Sequence, residues 1–293
     1  MQIAKLMKHR WEEEPISGIG RGYDGTFAIF FYGCTMRCVY CQNSKISRGI
    51  VGADIIRPSC RGEHCEPDKI NYTPEELSDE IIKAQSENVV SISFITAALY
   101  VDQVVETIKL AKKKGLILPV VYNSSGYETV SQIKKLDGLI DIYLPDFKYF
   151  DNDLGKKYSG VPNYADVAKL CIAEMHRQII SLRSCNSRVQ NRMGELCEPT
   201  LIVRHLVLPA NTENSKQVIK YLYDTYGDDI YLSIMSQYTP MPQNEGINAF
   251  PELLRKVTKR EYEKVVDFAL KIGVKNAYIQ EGDVAEESFI PDF

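Results

Sequence analysis

Six short apolar runs, at residues 26–32, 89–95, 117–122, 139–144, 200–208 and 230–235, recur along the chain with longer amphipathic stretches between them. Val, Ile, Leu, Phe and Tyr dominate each run without in–out alternation, the pattern of strands covered on both faces. The stretch after Thr73 opens a helix through about Glu87, with Thr73 as cap, Pro74 in the first turn and Glu75 and Glu76 near the positive dipole end. A second helix, 101–114, stops at Gly115, as helix C-termini commonly do. Residues 128–136, 164–182, 215–226 and 258–272 complete the set. Six strands alternating with six helices predict parallel βα units and an α/β fold. The pattern alone leaves open whether these units close into a barrel. No internal repeat or low-complexity tract interrupts them.

Directly after the first run comes Gly33-Cys34-Thr35-Met36-Arg37-Cys38-Val39-Tyr40-Cys41-Gln42-Asn43, a Cys-x3-Cys-x2-Cys loop. Three thiols this close let one loop fold around a single inorganic centre. A cubane iron–sulfur cluster suits the spacing, because each corner iron takes one thiolate. Three protein ligands leave the fourth iron open to a small chelating molecule. Two rivals stand beside this reading. Structural zinc asks for four ligands, and no further cysteine appears until Cys60. A disulfide would leave one thiol over and needs an oxidising compartment.

The 293 residues suffice for one barrel-sized domain, expected to span 1–293. Within it, 1–25 reads as an N-terminal extension, 26–240 as the core, and 241–293 as a C-terminal helix and cap. Hydrophobic content of 44% and charged content of 25% are those of a globular chain. A net charge of -4 gives no overall attraction to nucleic acid or anionic membrane, so neither is expected as a partner. Residues 1–14 are charged and lack the apolar core of a secretion signal. No run reaches the ~18 apolar residues needed to span a bilayer. A cytoplasmic location is the expectation, and there eight cysteines fit metal ligands and buried thiols better than a disulfide framework.

The strand ends carry the remaining polar candidates. Thr96, before Ala97 and Ala98, offers a hydroxyl to a ligand or simply caps a helix. Asn123, Ser124 and Ser125 precede Gly126, leaving room for a ligand close to backbone. Asp146 and Lys148 fall on one face of the fourth strand's end, as a salt bridge or as a ligand-positioning pair. Arg204 sits deep in an apolar strand, where it must meet an anion. His205 faces the other way and reads as packing, and Cys171 reads as a buried thiol. Two polar insertions, near 49–71 and 183–199, hold Cys60 and Cys65 (with His64) and Cys185 and Cys197. These four cysteines admit a zinc site, an auxiliary cluster, reduced thiols, or disulfides formed in air.

The cysteine spacing, with Tyr40 at the aromatic position before the third cysteine, resembles the radical S-adenosylmethionine (SAM) enzymes. The resemblance implies a partial (β/α)6 TIM-type barrel, open on one side, with its working residues where strands end. It also implies a [4Fe–4S] cluster on Cys34, Cys38 and Cys41 whose open iron chelates the amino and carboxylate groups of SAM. One electron, from reduced flavodoxin or ferredoxin, then yields a 5'-deoxyadenosyl radical that abstracts hydrogen from a substrate. The family often carries Gly-Gly-Glu where this chain has Thr96-Ala97-Ala98.

The motifs Cys41-Gln42-Asn43, Asn123-Ser124-Ser125-Gly126-Tyr127, Leu144-Pro145-Asp146-Phe147-Lys148-Tyr149 and Val203-Arg204-His205-Leu206-Val207-Leu208-Pro209 run in an order similar to the pyruvate formate-lyase activating enzymes. Trp11-Glu12-Glu13-Glu14-Pro15, Tyr158-Ser159-Gly160, Glu174-Met175-His176-Arg177-Gln178 and Met235-Ser236-Gln237-Tyr238 resemble the PflX-like branch of that group. By this resemblance Tyr40, Thr96, Asn123, Ser125, Asp146, Lys148 and Arg204 border SAM, with Lys148 near it and Arg204 approaching its carboxylate. The positions of Asn123 and Asp146 help hold a monovalent cation in the activating enzymes, but Asn123 stands where those carry Asp. The implied partner is a glycyl radical enzyme, or another peptide or small molecule. An iron–sulfur electron carrier or sensor and a zinc-binding interaction protein are the rival functions.

Overall fold

The computed structural model describes residues 1–10, 12–18, 21–48, 70–185, 189–190 and 196–280, with only the backbone given for 189–190 and 196–197. The strands are β1 (Gln2–His9), β2 (Thr26–Phe31), β3 (Ile70–Asn71), β4 (Ser91–Ile95), β5 (Val120–Ser124), β6 (Ile142–Pro145), β7 (Val189–Gln190), β8 (Leu196–Cys197), β9 (Thr200–Leu206), β10 (Tyr231–Met235) and β11 (Ala277–Ile279). The helices are α1 (Glu14–Ser17), α2 (Ser44–Ser47), α3 (Pro74–Gln85), α4 (Val101–Lys113), α5 (Val130–Lys134), α6 (Asn152–Ser159), α7 (Tyr164–Ser184), α8 (Thr212–Tyr226) and α9 (Lys259–Ile272). One nine-stranded sheet runs β11-β10-β9-β6-β5-β4-β2-β1-β3, and β7 and β8 form a separate antiparallel pair. From β2 to β11 every neighbour in the large sheet is parallel; β1 and β3 add antiparallel pairs at one edge. The six runs read from the sequence are thus β2, β4, β5, β6, β9 and β10, and the barrel they make is open.

Alternate residues of each strand belong to different clusters, which is why the runs show no polar alternation. On β2, Ile29 and Phe31 pack with Val104, Ile108 and other helix residues, whereas Ala28 and Phe30 join Tyr32, Ile46 and Ile95 on the opposite face. On that same concave face Val121, Ile142, Leu144 and Ile202 close around Ile16 of α1, which is fully buried. Ser91 Oγ, at the start of β4, donates to Ile16 O at 2.7 Å. The N-terminal segment, expected to be an extension, therefore supplies a strand between β2 and β3 and packs Ile16 against the inner face of the sheet. Its alternating burial along β1 is mild, with six of eight residues half-buried, so the sequence carries little periodic signal there.

The capping box expected at Thr73 is present, with Glu76 N–H donating to the threonine hydroxyl at 3.2 Å and the Glu76 carboxylate accepting from Thr73 N–H at 2.8 Å. The run at 117–122 shifts to Val120–Ser124, and Ile117 is exposed. That shift places Asn123 and Ser124 in the strand itself. Helix α6 was not legible in the sequence: Gly155 in its interior argues against a helix. A Cβ there would stand 2.7 Å from Tyr164 Cβ, so the glycine is required by the close crossing of α6 and α7. None of the described helices is long and apolar enough to cross a membrane.

Candidate active site

Two residues after β2 ends at Phe31, Gly33, with φ of 91°, turns the chain into the cysteine loop. Gly33 N–H donates to Ile46 O at 2.8 Å, which folds α2 back under the loop. The loop is clipped on one side by α6, through Arg37 N–H to Ser159 O (3.0 Å) and Val39 N–H to Tyr158 O (2.9 Å). On the other side Asn244 Nδ2 donates to Cys41 O at 2.8 Å. Sequence-distant elements thus fix where the three sulfurs point. Burial raises the Cys34 thiol pKa and pushes Cys38 up to about 12, so burial by itself favours the neutral thiol at both. Stabilising their thiolates is work left to a positively charged centre.

Beyond the loop, Asp146 and Lys148 form an ion pair at the end of β6. Burial works against the Lys148 charge, but Asp146 and the sulfurs of Cys38 and Cys41 outweigh it and raise the lysine pKa, so the ammonium is kept. The loop carrying the pair is held from behind. The Tyr164 hydroxyl, at the start of α7, accepts Lys148 N–H at 3.0 Å and shares its proton between Ser125 O and Asp146 O, both at 2.9 Å. Asn214 of α8 accepts Phe150 N–H at 2.9 Å and donates to Lys148 O at 3.1 Å. His205 is buried between Phe147 O (2.7 Å from Nδ1) and Ser215 Oγ (2.8 Å from Nε2). A carbonyl only accepts, so Nδ1 carries the proton; burial lowers the ring pKa to about 4 and keeps it neutral. Gly126, at φ 75°, passes so close to Asp146 O that a Cβ would lie 2.2 Å from it.

Arg204 lies beside Asp146 across the parallel β6–β9 bridge. Its guanidinium meets two carboxylates of its own chain: Nε donates to Glu13 Oε1 at 2.8 Å, and Nη2 contacts both Glu13 and Glu12. Burial raises the Glu13 carboxyl to about 7, Ser233 opposes the shift by hydrogen bonding, and Asp146 adds to it. Burial draws Arg204 down to about 9, still above neutrality, so the guanidinium stays charged. The anion demanded by a buried arginine is therefore supplied, at least in part, by residues some 190 positions away, 191 for Glu13. Glu12 and Glu13 escaped sequence reading because three acids before Pro15 look like an exposed helix start. The available signal was Arg204 itself, which needed partners.

A single cavity, with an empty volume of about 1310 Å³ that includes space open to solvent, joins these parts. Cys34, Cys38, Cys41, Tyr40, Thr96, Asn123, Ser125, Asp146, Lys148 and Arg204 all line it, and so do Glu12, His9, Gln237 and Tyr238. Ser125 Oγ is buried with no partner among the described residues, a donor left for something in the cavity. The donor set suits a cubane: three soft sulfurs on one wall, with the opposite wall polar and charged. Among the described residues no three His, Cys, Asp or Glu side chains converge closely enough for one metal ion.

Behind β5, Glu128 is fully buried against Ser124 Oγ, which donates to it at 2.5 Å, and Cys171, whose Sγ lies 3.8 Å away. Burial raises its carboxyl to about 7. Cys171 is the buried thiol expected from the sequence. Cys185 caps α7 and is exposed. Cys60 and Cys65 lie outside the described residues, as does the side chain of Cys197. Nothing among the described residues supports zinc or a second cluster on these four.

The Radical SAM superfamily model matches residues 28–182, more than half of the chain. The chain belongs to the radical SAM superfamily. Its match begins in β2 and runs through α7, so it takes in the cysteine loop and the Asp146–Lys148 pair. Family membership implies a [4Fe–4S] cluster and SAM as cofactors. An uncharacterised protein of Methanocaldococcus jannaschii is 29% identical over 252 residues, covering 85% of this chain and 63% of the relative, so the chain spans less than two thirds of that protein's length. Streptococcus suis SuiB bound to S-adenosylmethionine shares the fold of this radical SAM protein at a TM-score of 0.51 and 11% identity, over 86% of this chain and 49% of SuiB. Methylornithine synthase does so at 0.51 and 12%, over 81% and 59%.

Proposed function

We propose that this radical SAM enzyme binds its cluster through Cys34, Cys38 and Cys41, holds SAM across the polar wall, and delivers hydrogen abstraction to a partner of the glycyl radical type. What carries the reading is one observation: the three cysteines, Tyr40 of their loop and the six strand-end residues Thr96, Asn123, Ser125, Asp146, Lys148 and Arg204 share a single cavity. When bound, the cluster supplies the electron that splits the SAM sulfonium. The protein's part is orientation and exclusion of water. Lys148 brings a fixed positive charge to the sulfur side, where it suits the SAM carboxylate, and Asp146 orients it. Asn123, Ser125 and Thr96 offer neutral polar groups to the amino acid and ribose. Tyr40, Met36 and Tyr238 are buried around the loop and keep it dry. Arg204 faces the same space with Glu12 and Glu13 already on it, so any ligand carboxylate there competes with, or completes, that group.

The glycyl radical assignment rests on the resemblance of the motifs to pyruvate formate-lyase activating enzymes, and the reduced flavodoxin or ferredoxin donor on the same resemblance. A different peptide or small molecule is favoured by one feature, the charged floor of Glu12, Glu13 and Arg204, which offers more recognition than a glycine backbone requires. Anaerobic reconstitution with iron and sulfide, then dithionite and SAM, tests the reading. Formation of 5'-deoxyadenosine supports it; a reducible cluster that leaves SAM intact supports the electron-carrier alternative. Deuterium transfer from candidate substrates into 5'-deoxyadenosine separates the substrate classes.

A further inference from the structure

The three cysteine sulfurs do not have equivalent surroundings. Cys34 Sγ accepts Met36 N–H at 3.4 Å, and Cys41 Sγ lies 3.4 Å from Ser47 Oγ. Cys38 alone meets a short bond, from Ser159 Oγ at 3.0 Å. Ser159 is fully buried, and its position is fixed by the two main-chain bonds that tie residues 158–159 to the cysteine loop. Behind it the hydroxyls continue: Tyr149 lies 2.8 Å from Ser159 Oγ, and Tyr40 lies 2.5 Å from Tyr149. Tyr149 is also fully buried, and Tyr40 returns the chain of contacts to the cavity wall next to Cys41.

Proton counting sets the direction of this chain. A thiolate on iron only accepts, so the single Ser159 proton points at Cys38. Ser159 then accepts the Tyr149 proton, and Tyr149 accepts that of Tyr40. All three dipoles point toward one sulfur, in a buried place where aligned hydrogen bonds strengthen one another.

We propose that Ser159, Tyr149 and Tyr40 set the reduction potential of the cluster by donating, in series, to its Cys38 corner. The inference rests on the proposed cluster site. Adding an electron increases negative charge on iron and on its sulfurs, so a donor aimed at a sulfur stabilises the reduced form more than the oxidised one. The relay therefore makes reduction easier in a site whose burial makes it harder. Ser159, Tyr149 and Tyr40 are positioning residues here; none needs to touch SAM for this role.

The test is a redox titration of reconstituted full-length protein without SAM, followed by EPR of the reduced cluster, with iron and sulfide content measured alongside. Ser159→Ala is expected to lower the reduced-to-oxidised ratio at a fixed poise threefold to tenfold, tenfold being about 59 mV for a one-electron couple. Ser159→Thr keeps the hydroxyl and should restore most of that loss. Tyr149→Phe leaves the serine donor but removes its polarisation, so its shift is in the same direction and smaller, and Tyr40→Phe smaller again. Should Ser159→Ala load poorly, Tyr149→Phe still reads the effect. Ratios equal to wild type in the variants that load, or a change in the opposite direction, overturn the proposal. Failure of the unaltered protein to take up any cluster would instead defeat the proposed function.

Discussion

At the sulfur end of the cavity the side chains facing the cysteines are neutral donors and one compensated lysine, whereas at the floor one guanidinium is pressed against two carboxylates. The first end centres on one contiguous cysteine loop, onto which Tyr149 and Ser159 fold from more than a hundred residues later. The second is assembled from β9 and a segment nearly two hundred residues earlier. Both are buried, yet they carry their polar groups at different cost. Neutral hydroxyls in series need only be satisfied, while buried charges must be both paired and solvated by dipoles. The sulfur end is therefore built to receive a charged group, and the floor to hold its own charge in place.

Removing a cysteine should break the contrast most completely. Cys38→Ala is expected to abolish cluster uptake and SAM cleavage together, read as iron content and 5'-deoxyadenosine, while leaving the floor intact. Next in size is Arg204→Ala, which strands Glu12 in the cavity wall and Glu13 beside it; a loss of about 3–5 kcal/mol in denaturant unfolding of the apoprotein is expected for breaking a buried pair. A loss near zero would mean the two carboxylates simply take up protons.

The pH dependence sharpens the comparison. Glu13 at the floor and Glu128 behind β5 both have carboxyls raised to about 7 by burial, against an ordinary value of 4.5. A raised acid binds more protons folded than unfolded, so its contribution to stability is lost as pH rises from 4.5 through about 7. Glu128→Gln should therefore stabilise the apoprotein at pH 8, by at most on the order of 3 kcal/mol, and change little at pH 4.5. Equal effects at both pH values would show that Glu128 is not protonated at neutrality. Smallest is Tyr164→Phe, which removes the hydroxyl holding Ser125, Asp146 and Lys148; about 1–3 kcal/mol of stability should go, with a weaker hold on S-adenosylhomocysteine measured by calorimetry.

How much of this was legible depended on whether the relevant residues are contiguous. The cysteine loop, Thr73's capping box and the six parallel strands all rest on local spacing, and each has its element in the structure. Boundaries slipped where a strand's polar end joins its loop, as at Asn123 and Ser124. Strand β1, next to the sheet edge, was missed because half-buried residues on both of its faces leave no period to read. Helix α6 was hidden by Gly155, whose reason lies in Tyr164 of the next helix. Glu12 and Glu13 belonged to an acidic run that looks solvated; only Arg204's need for an anion pointed inward. Tyr149 and Ser159 fall within motifs of the family resemblance, but nothing in the sequence links their hydroxyls, since a buried hydroxyl chain is defined by contacts, not by spacing.

The central claim is that three cysteines at one end of this cavity hold a cluster whose open corner serves SAM. Its most direct test is EPR of the anaerobically reconstituted, reduced protein, recorded before and after SAM is added. The account predicts one [4Fe–4S] cluster per chain, lost in Cys38→Ala, whose spectrum changes when SAM binds and whose turnover gives 5'-deoxyadenosine. A spectrum indifferent to saturating SAM, with no nucleoside product, would contradict it.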